Sequence, residues 1–123
     1  MGQSAEWKTL PVGDLAYLKN LADHAGLEMA QALVSSAPDA FSHEIDVIRD
    51  AIEAHDLARV RSAAHALKGA CYSVQSRKLA AVVAELEKNA ADPDVLPALF
   101  KTVEQVGEET LQWLREVLEK DLA

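Results

Sequence analysis

Apolar residues recur along this chain at the three- and four-residue spacing of amphipathic helices almost from end to end. No segment shows the strict alternation that is typical of a half-buried strand. Asp14 is a good N-cap for a short first helix, and Gly26 suits its exit. The apolar face of that helix carries Leu15, Leu18 and Leu21. The pattern therefore predicts an all-α protein.

Five further helices are predicted beyond this first one. A second helix covers about residues 27–35 and a third about 39–54, because Pro38 is best accommodated in the first turn of a new helix. Three longer helices follow, over about residues 56–73, 76–89 and 95–122. Long amphipathic helices with short connections favour an antiparallel four-helix bundle, here with one or two short additional N-terminal helices.

Length and composition narrow the class of protein. With 123 residues the chain is sufficient for one hydrophobic core, so a single domain spanning residues 1–123 is predicted. Half of the residues are hydrophobic, which argues against disorder. Cys71 is the single cysteine and cannot form an internal disulfide, which suits a reducing compartment. The sequence shows neither a secretory signal nor a bilayer-spanning apolar run, and a cytoplasmic, soluble protein is expected.

The charges are unevenly distributed. A formal net charge of -8 makes nucleic acids and anionic membranes poor partners for the molecule as a whole. No Asp or Glu occurs from Leu57 to Ala84, a segment that we call the basic window. Its basic residues are Arg59, Arg61, Lys68, Arg77 and Lys78. The basic window is thus a segment of positive charge within an acidic protein.

The helix predicted over residues 56–73 has two different sides, as the rotation of about 100° per residue shows. One side faces the core with Leu57, Val60, Leu67, Cys71 and Val74, extended by Ala63, Ala66 and Ala70. His65 points the opposite way. The residues within about 60° of it form what we call the His65 ridge, namely Arg61, Ser62, Lys68, Gly69 and Tyr72.

The composition of the His65 ridge suggests a chemical role. A glycine in mid-helix costs about 1 kcal/mol relative to alanine, and Gly69 clears space beside the imidazole. A neutral imidazole nitrogen is a nucleophile, and the cations Arg61 and Lys68 would stabilise an anion bonded to it. The alternative is a surface histidine without a role. The surrounding residues instead favour a site where a phosphoryl group arrives and leaves.

The stretch "AAHALKGACYSV" resembles the core motif of the histidine phosphotransfer (HPt) domain family, a His followed by Lys and Gly three and four places later. The segments "AIEAHDLARVRS", "LAAVVAELE" and "FSHEIDVIRDAI" are similar to the family's other helices, so the resemblance covers most of the chain. It implies that His65 accepts a phosphoryl group, Lys68 contacts the phosphoryl oxygens and Gly69 gives the partner room. By the same resemblance, Glu87 on the following helix would orient the imidazole through a hydrogen bond.

Two positions depart from the family pattern. Gln75 stands ten residues after His65, where the family usually has a glycine that suits a left-handed C-cap, so the usual turn geometry is in question. Tyr72 stands where a small residue is usual. We expect it to restrict or specialise docking.

The resemblance implies a phosphorelay intermediate in two-component signalling. His65 would take a phosphoryl group from an aspartyl phosphate on one receiver domain, including the receivers of hybrid sensor kinases, and pass it to another. No P-loop or kinase signature is present, so autonomous kinase activity is not expected. No cofactor or metal is expected on this chain, Mg²⁺ being expected on the receiver, and the expected state is a monomer. The alternative is a non-phosphorylated helical interaction module that binds receiver or kinase domains.

Overall fold

The computed structural model describes residues 6–123, and no strand occurs among them. Five α-helices follow one another along the chain: α1 (Leu15–Ala25), α2 (Leu27–Glu53), α3 (Leu57–Ser73), α4 (Arg77–Lys88) and α5 (Leu96–Glu116). A 3₁₀ turn, Glu6–Thr9, precedes them, and a π-helical turn, Val117–Asp121, extends α5. The all-α prediction is confirmed.

The helices α2 to α5 form a four-helix bundle. Each helix packs on the next, and α5 closes the ring against α2, while α1 packs on the outside of α2. Because the connections between these neighbours are short, successive helices run in opposite directions. The observed architecture is therefore the predicted one, a four-helix bundle with short additional N-terminal helices.

The helix break predicted at Pro38 is wrong. Helix α2 runs without interruption from Leu27 to Glu53 and contains Pro38 in its interior. A proline there removes one backbone hydrogen bond at a cost of about 3 kcal/mol. However, Val34, Ala37 and Phe41 around it are buried, and each large apolar side chain contributes about 1.5–3 kcal/mol on burial. Core packing therefore keeps the helix continuous through a residue that usually starts one.

The other helix boundaries follow the local signals more closely. The carboxylate of Asp14 accepts a hydrogen bond from the backbone N–H of Tyr17 at 3.0 Å and so caps α1. Asp56 caps α3 in the same way, at 3.1 Å from the N–H of Arg59. The last helix is predicted as one unit to about residue 122, whereas its α-helical part ends at Glu116 and the π-helical turn follows.

The core side of α3 is largely as predicted, with Val60, Leu67 and Cys71 fully buried. The placement of Ala66 on this side is wrong, because Ala66 is exposed and Ala64 is buried instead. Both alanines lie about 100° from His65, on opposite flanks. By the same rotation Ala64 lies within about 40° of Val60 and Cys71, whereas Ala66 lies more than about 100° from both, so residue order itself favours burial of Ala64.

The turn between α3 and α4 keeps the left-handed geometry of the family, although Gln75 stands there in place of glycine. Gln75 adopts a positive φ of 53°, the left-handed conformation that a glycine would usually supply. The N–H of Ser76 donates to the carbonyl of Cys71 at 2.9 Å, and the N–H of Gln75 donates to that of Tyr72 at 3.2 Å, which together make a Schellman motif. The carbonyl of Gln75 also accepts from the N–H of Asp14 at 3.1 Å. The usual turn is thus formed without glycine.

This conformation predicts that Gln75→Gly stabilises the protein. A left-handed backbone costs a residue with a side chain roughly 1–2 kcal/mol, part of which the greater freedom of unfolded glycine offsets. The free energy of unfolding, measured by urea denaturation, should rise by about 0.5–1 kcal/mol. Gln75→Ala is the matched control, because it removes the side chain and retains the strain. An equal gain in Gln75→Ala, or a loss in Gln75→Gly, would contradict the strain argument.

Candidate functional site

His65 lies in the middle of α3 on the side that faces solvent. Because Leu67 and Cys71 of the same helix are buried, the fold directs the imidazole outwards, and 72% of its side chain is exposed. The structure exposes most of the other members of the His65 ridge, namely Arg61, Ser62, Gly69 and Tyr72. Tyr72 presents 55% of its surface to solvent. The ridge is therefore accessible to a large partner.

The space above Gly69 is open. A Cβ added at this position would meet no atom within 4 Å, so packing in the isolated chain does not require a glycine. Gly13 offers a contrast, because a Cβ there would overlap the ring of Trp113. Packing therefore explains the glycine at position 13 and leaves the one at position 69 without a structural reason.

Glu87 of α4 connects two members of the His65 ridge. Its Oε2 lies 3.0 Å from Nδ1 of His65, and its Oε1 lies 2.7 Å from Nζ of Lys68. The carboxylate is half-buried, with 20% of the side chain exposed, since Glu87 follows the buried Leu86 at the inner edge of α4. The contact between Glu87 and the imidazole is the one that the resemblance implies. The salt bridge to Lys68 is a further contact that the sequence did not indicate.

The salt bridge changes the proton affinities of its two partners. The Lys68 ammonium lowers the pKa of the Glu87 carboxyl, and partial burial opposes this, while the contact with His65 adds to the lowering. Glu87 in turn raises the pKa of Lys68. Glu87 is therefore an ionised carboxylate at neutral pH, and Lys68 is an ammonium.

The ionised carboxylate determines which nitrogen of His65 carries the proton in the neutral ring. A carboxylate can only accept hydrogen bonds, so Nδ1 of His65 must be the N–H that donates to Oε2 of Glu87. In this tautomer the lone pair resides on Nε2. The arrangement thus leaves Nε2 as the nucleophilic atom of an exposed ring.

The basic window is less basic in space than it is in the sequence. Lys68 binds Glu87, Nζ of Lys78 lies 2.8 Å from Glu109 of α5, and the guanidinium of Arg77 lies 3.9 Å from Asp14. Within residues 6–123, Arg59 and Arg61 form no salt bridge. Of the two cations that flank His65 along α3, Lys68 is therefore engaged by Glu87 and Arg61 is unpaired.

Three further features of the described residues concern metal ligands, thiol reactivity and membrane-spanning helices. No group of three or more His, Cys, Asp or Glu side chains within residues 6–123 could hold a metal ion. Burial raises the pKa of the Cys71 thiol to about 12, so this cysteine remains protonated and is a poor nucleophile. None of the described helices combines the length and apolarity needed to cross a bilayer.

The lowered pKa of Glu87 predicts a pH-dependent contribution to stability. A carboxyl whose pKa in the fold lies below the ordinary value of 4.5 stabilises the fold above that pH, and the contribution is lost as pH falls through the folded value. At pH 7, Glu87→Gln should lower the free energy of unfolding by about 1 kcal/mol. Urea denaturation at pH 7, 5, 4 and 3 should show this difference shrinking on acidification. A difference that grows towards pH 3 would contradict the assignment.

Comparison with known proteins agrees with the fold. A family model of the Hpt domain matches residues 28–120. The crystal structure of histidine-containing phosphotransfer protein B (HptB) from Pseudomonas aeruginosa PAO1 is similar, with a TM-score of 0.79 at 21% identity over 88% of this chain and 95% of that one. No curated protein matches the sequence. From the family match over most of its length, the chain belongs to the Hpt domain family, the histidine phosphotransfer domains of phosphorelays.

Proposed function

We propose that this chain is a phosphorelay intermediate that accepts a phosphoryl group on Nε2 of His65. The observation that supports this most directly is the exposed imidazole whose Nδ1–H is held by Glu87 at 3.0 Å. The donor is an aspartyl phosphate on one receiver domain, including those of hybrid sensor kinases, and the acceptor is the aspartate of another. The protein acts as a monomer in the cytoplasm.

The transfer step follows from the position of the lone pair. Nε2 attacks the phosphorus, the bond between phosphorus and the aspartyl oxygen breaks, and the receiver's aspartate leaves as a carboxylate. The imidazole keeps its proton on Nδ1, so the phosphorylated ring carries a positive charge that the carboxylate of Glu87 stabilises. The second transfer reverses these steps on another receiver and restores the neutral ring. Positioning and charge are sufficient for this chemistry, and no cofactor on this chain takes part.

Lys68 and Gly69 serve the same step in this proposal. The Lys68 ammonium lies one turn along the His65 ridge and would contact the phosphoryl oxygens, since an ammonium has three donors and Glu87 Oε1 occupies one side of it. Gly69 leaves the approach to the imidazole open. Tyr72, one turn further on, contacts the docked partner and restricts which receivers fit.

The test is a transfer assay with a panel of phosphorylated receiver domains. Radiolabel should move from at least one receiver to this protein, and the product should be labile in acid and stable in alkali, as phosphohistidine is. A receiver that binds this protein tightly and never transfers label would favour the alternative, a non-phosphorylated interaction module. Label that survives acid would place the phosphoryl group on a residue other than histidine.

A further inference from the structure

A cleft lies beside His65 on the side of α4. It is formed where the first turns of α3 meet the end of α4, and its volume is about 210 Å³. Its lining residues are Leu57, Ala58, Arg61, Glu87, Lys88, Ala90 and Ala91. Because Arg61 belongs to the His65 ridge and Glu87 holds the imidazole, the cleft is continuous with the site. We call it the cationic cleft.

The charges of the cationic cleft are only partly compensated. Glu87 is the one acidic residue of the lining, and its carboxylate is already shared between Lys68 and His65. Arg61 and Lys88 are exposed, and across the described chain neither forms a salt bridge. Two unpaired cations therefore border the same small cleft, in a protein whose net charge is -8.

The remaining surface of the cationic cleft is apolar. Leu57 is partly buried and Ala90 is almost fully buried, and Ala58 and Ala91 complete the lining. Cations beside an apolar wall interact more strongly with an anion than cations in open water, because the effective dielectric constant is lower. The chemical group that best fits the cationic cleft is a carboxylate on a short apolar stem, as in a glutamate or aspartate side chain.

The distance from His65 indicates what would carry such a carboxylate. Arg61 lies one helical turn before His65, or about 5.4 Å along the axis. A protein docked over the imidazole covers about 800 Å² of this surface, which extends well beyond one turn. A receiver domain placed to transfer a phosphoryl group to Nε2 is therefore large enough to reach the cationic cleft as well.

We propose that the cationic cleft binds an acidic side chain of the docked receiver domain, with Arg61 and Lys88 as its partners. This inference rests on the proposed function and adds to it a contact that selects between receivers. A receiver that presents a glutamate or aspartate at this place pairs with both cations, whereas one that presents a lysine or arginine is repelled.

The test measures receiver binding by titration calorimetry in the full chain carrying His65→Gln, so that binding is separated from transfer. Arg61→Glu and Lys88→Glu should each weaken binding by roughly tenfold, and the salt dependence of the affinity should become shallower. Arg59→Glu is the matched control, because Arg59 is an unpaired exposed arginine of the same helix that does not line the cleft. It makes the same change in net charge and should alter the affinity less than twofold.

Three outcomes would overturn the inference. Equal weakening by Arg59→Glu would show a general charge effect, and unchanged affinity in Lys88→Glu would remove the cleft from the interface. The third outcome is a failure of charge reversal. Each exposed acidic residue of the receiver is changed to arginine one at a time, and none of these receiver variants binds the Lys88→Glu variant any better. Failure of the proposed function itself is a separate result, because it appears as absent transfer to the unsubstituted protein.

Discussion

Replacing His65 with glutamine should reduce phosphoryl acceptance from a cognate receiver to background. The glutamine amide nitrogen has no available lone pair for attack on phosphorus, whereas Nε2 of the imidazole has one, and the Glu87 contact at 3.0 Å directs it outwards. The change should leave the fold intact, because 72% of the His65 side chain is exposed and surface substitutions usually alter stability by less than 0.5 kcal/mol. Label on the protein after incubation with a phosphorylated receiver is the measurement.

His43→Gln is the matched control for this experiment. His43 is also exposed on a helix, α2, and lies outside the His65 ridge. This variant should accept label to the same stoichiometry as the unsubstituted protein. Stoichiometric labelling of His65→Gln would disprove the assignment of the acceptor, and loss of labelling in His43→Gln would show that the assay responds to changes away from the site.

Replacing Gly69 with glutamine should change stability and transfer in opposite directions. A Cβ at this position meets no atom within 4 Å, and glutamine is a much better helix former than glycine, so the free energy of unfolding should rise by about 0.5–1 kcal/mol. The longer side chain would occupy the approach to the imidazole. Since a misplacement of about 1 Å can cost on the order of 100-fold in rate, transfer from the receiver should slow by roughly that factor.

Gly69→Ala provides the graded comparison. Alanine should stabilise α3 at least as much as glutamine does, by about 1 kcal/mol, but should slow transfer less because it adds only one carbon. Stability comes from urea denaturation and transfer from the initial rate of labelling. A loss of stability in either variant would mean that the fold itself requires Gly69, and an unchanged rate in Gly69→Gln would mean that no partner approaches there.

The helices could be predicted because their signals are local. Asp14 and Asp56 lie directly before apolar periodic segments, and both form the expected caps. The side of α3 that faces solvent was predictable for the same reason, since rotation along one helix follows from residue order alone. The contact between Glu87 and His65 was expected from family resemblance, which carries information about packing that a single sequence lacks.

The error at Pro38 arises where neighbouring helices act. Pro38 is locally typical of a helix start, and only the burial of Phe41 and its neighbours keeps α2 continuous. The placement of Ala66 has another origin, because by rotation Ala64 lies within about 40° of Val60 and Cys71 and Ala66 lies more than about 100° from both. Residue order along α3 was therefore sufficient to identify Ala64 as the buried alanine.

The spacing of His65, Lys68 and Gly69 is that of a helical surface, so residue order alone places these three residues on one side of a helix. Which of the cations near them remain free follows instead from the packing of the helices. Lys68 is paired with Glu87, while Arg61 is left unpaired at the cationic cleft. Salt bridges between helices depend on how the helices pack and on the relative position along their axes at which they meet, and neither follows from the periodicity of a single helix.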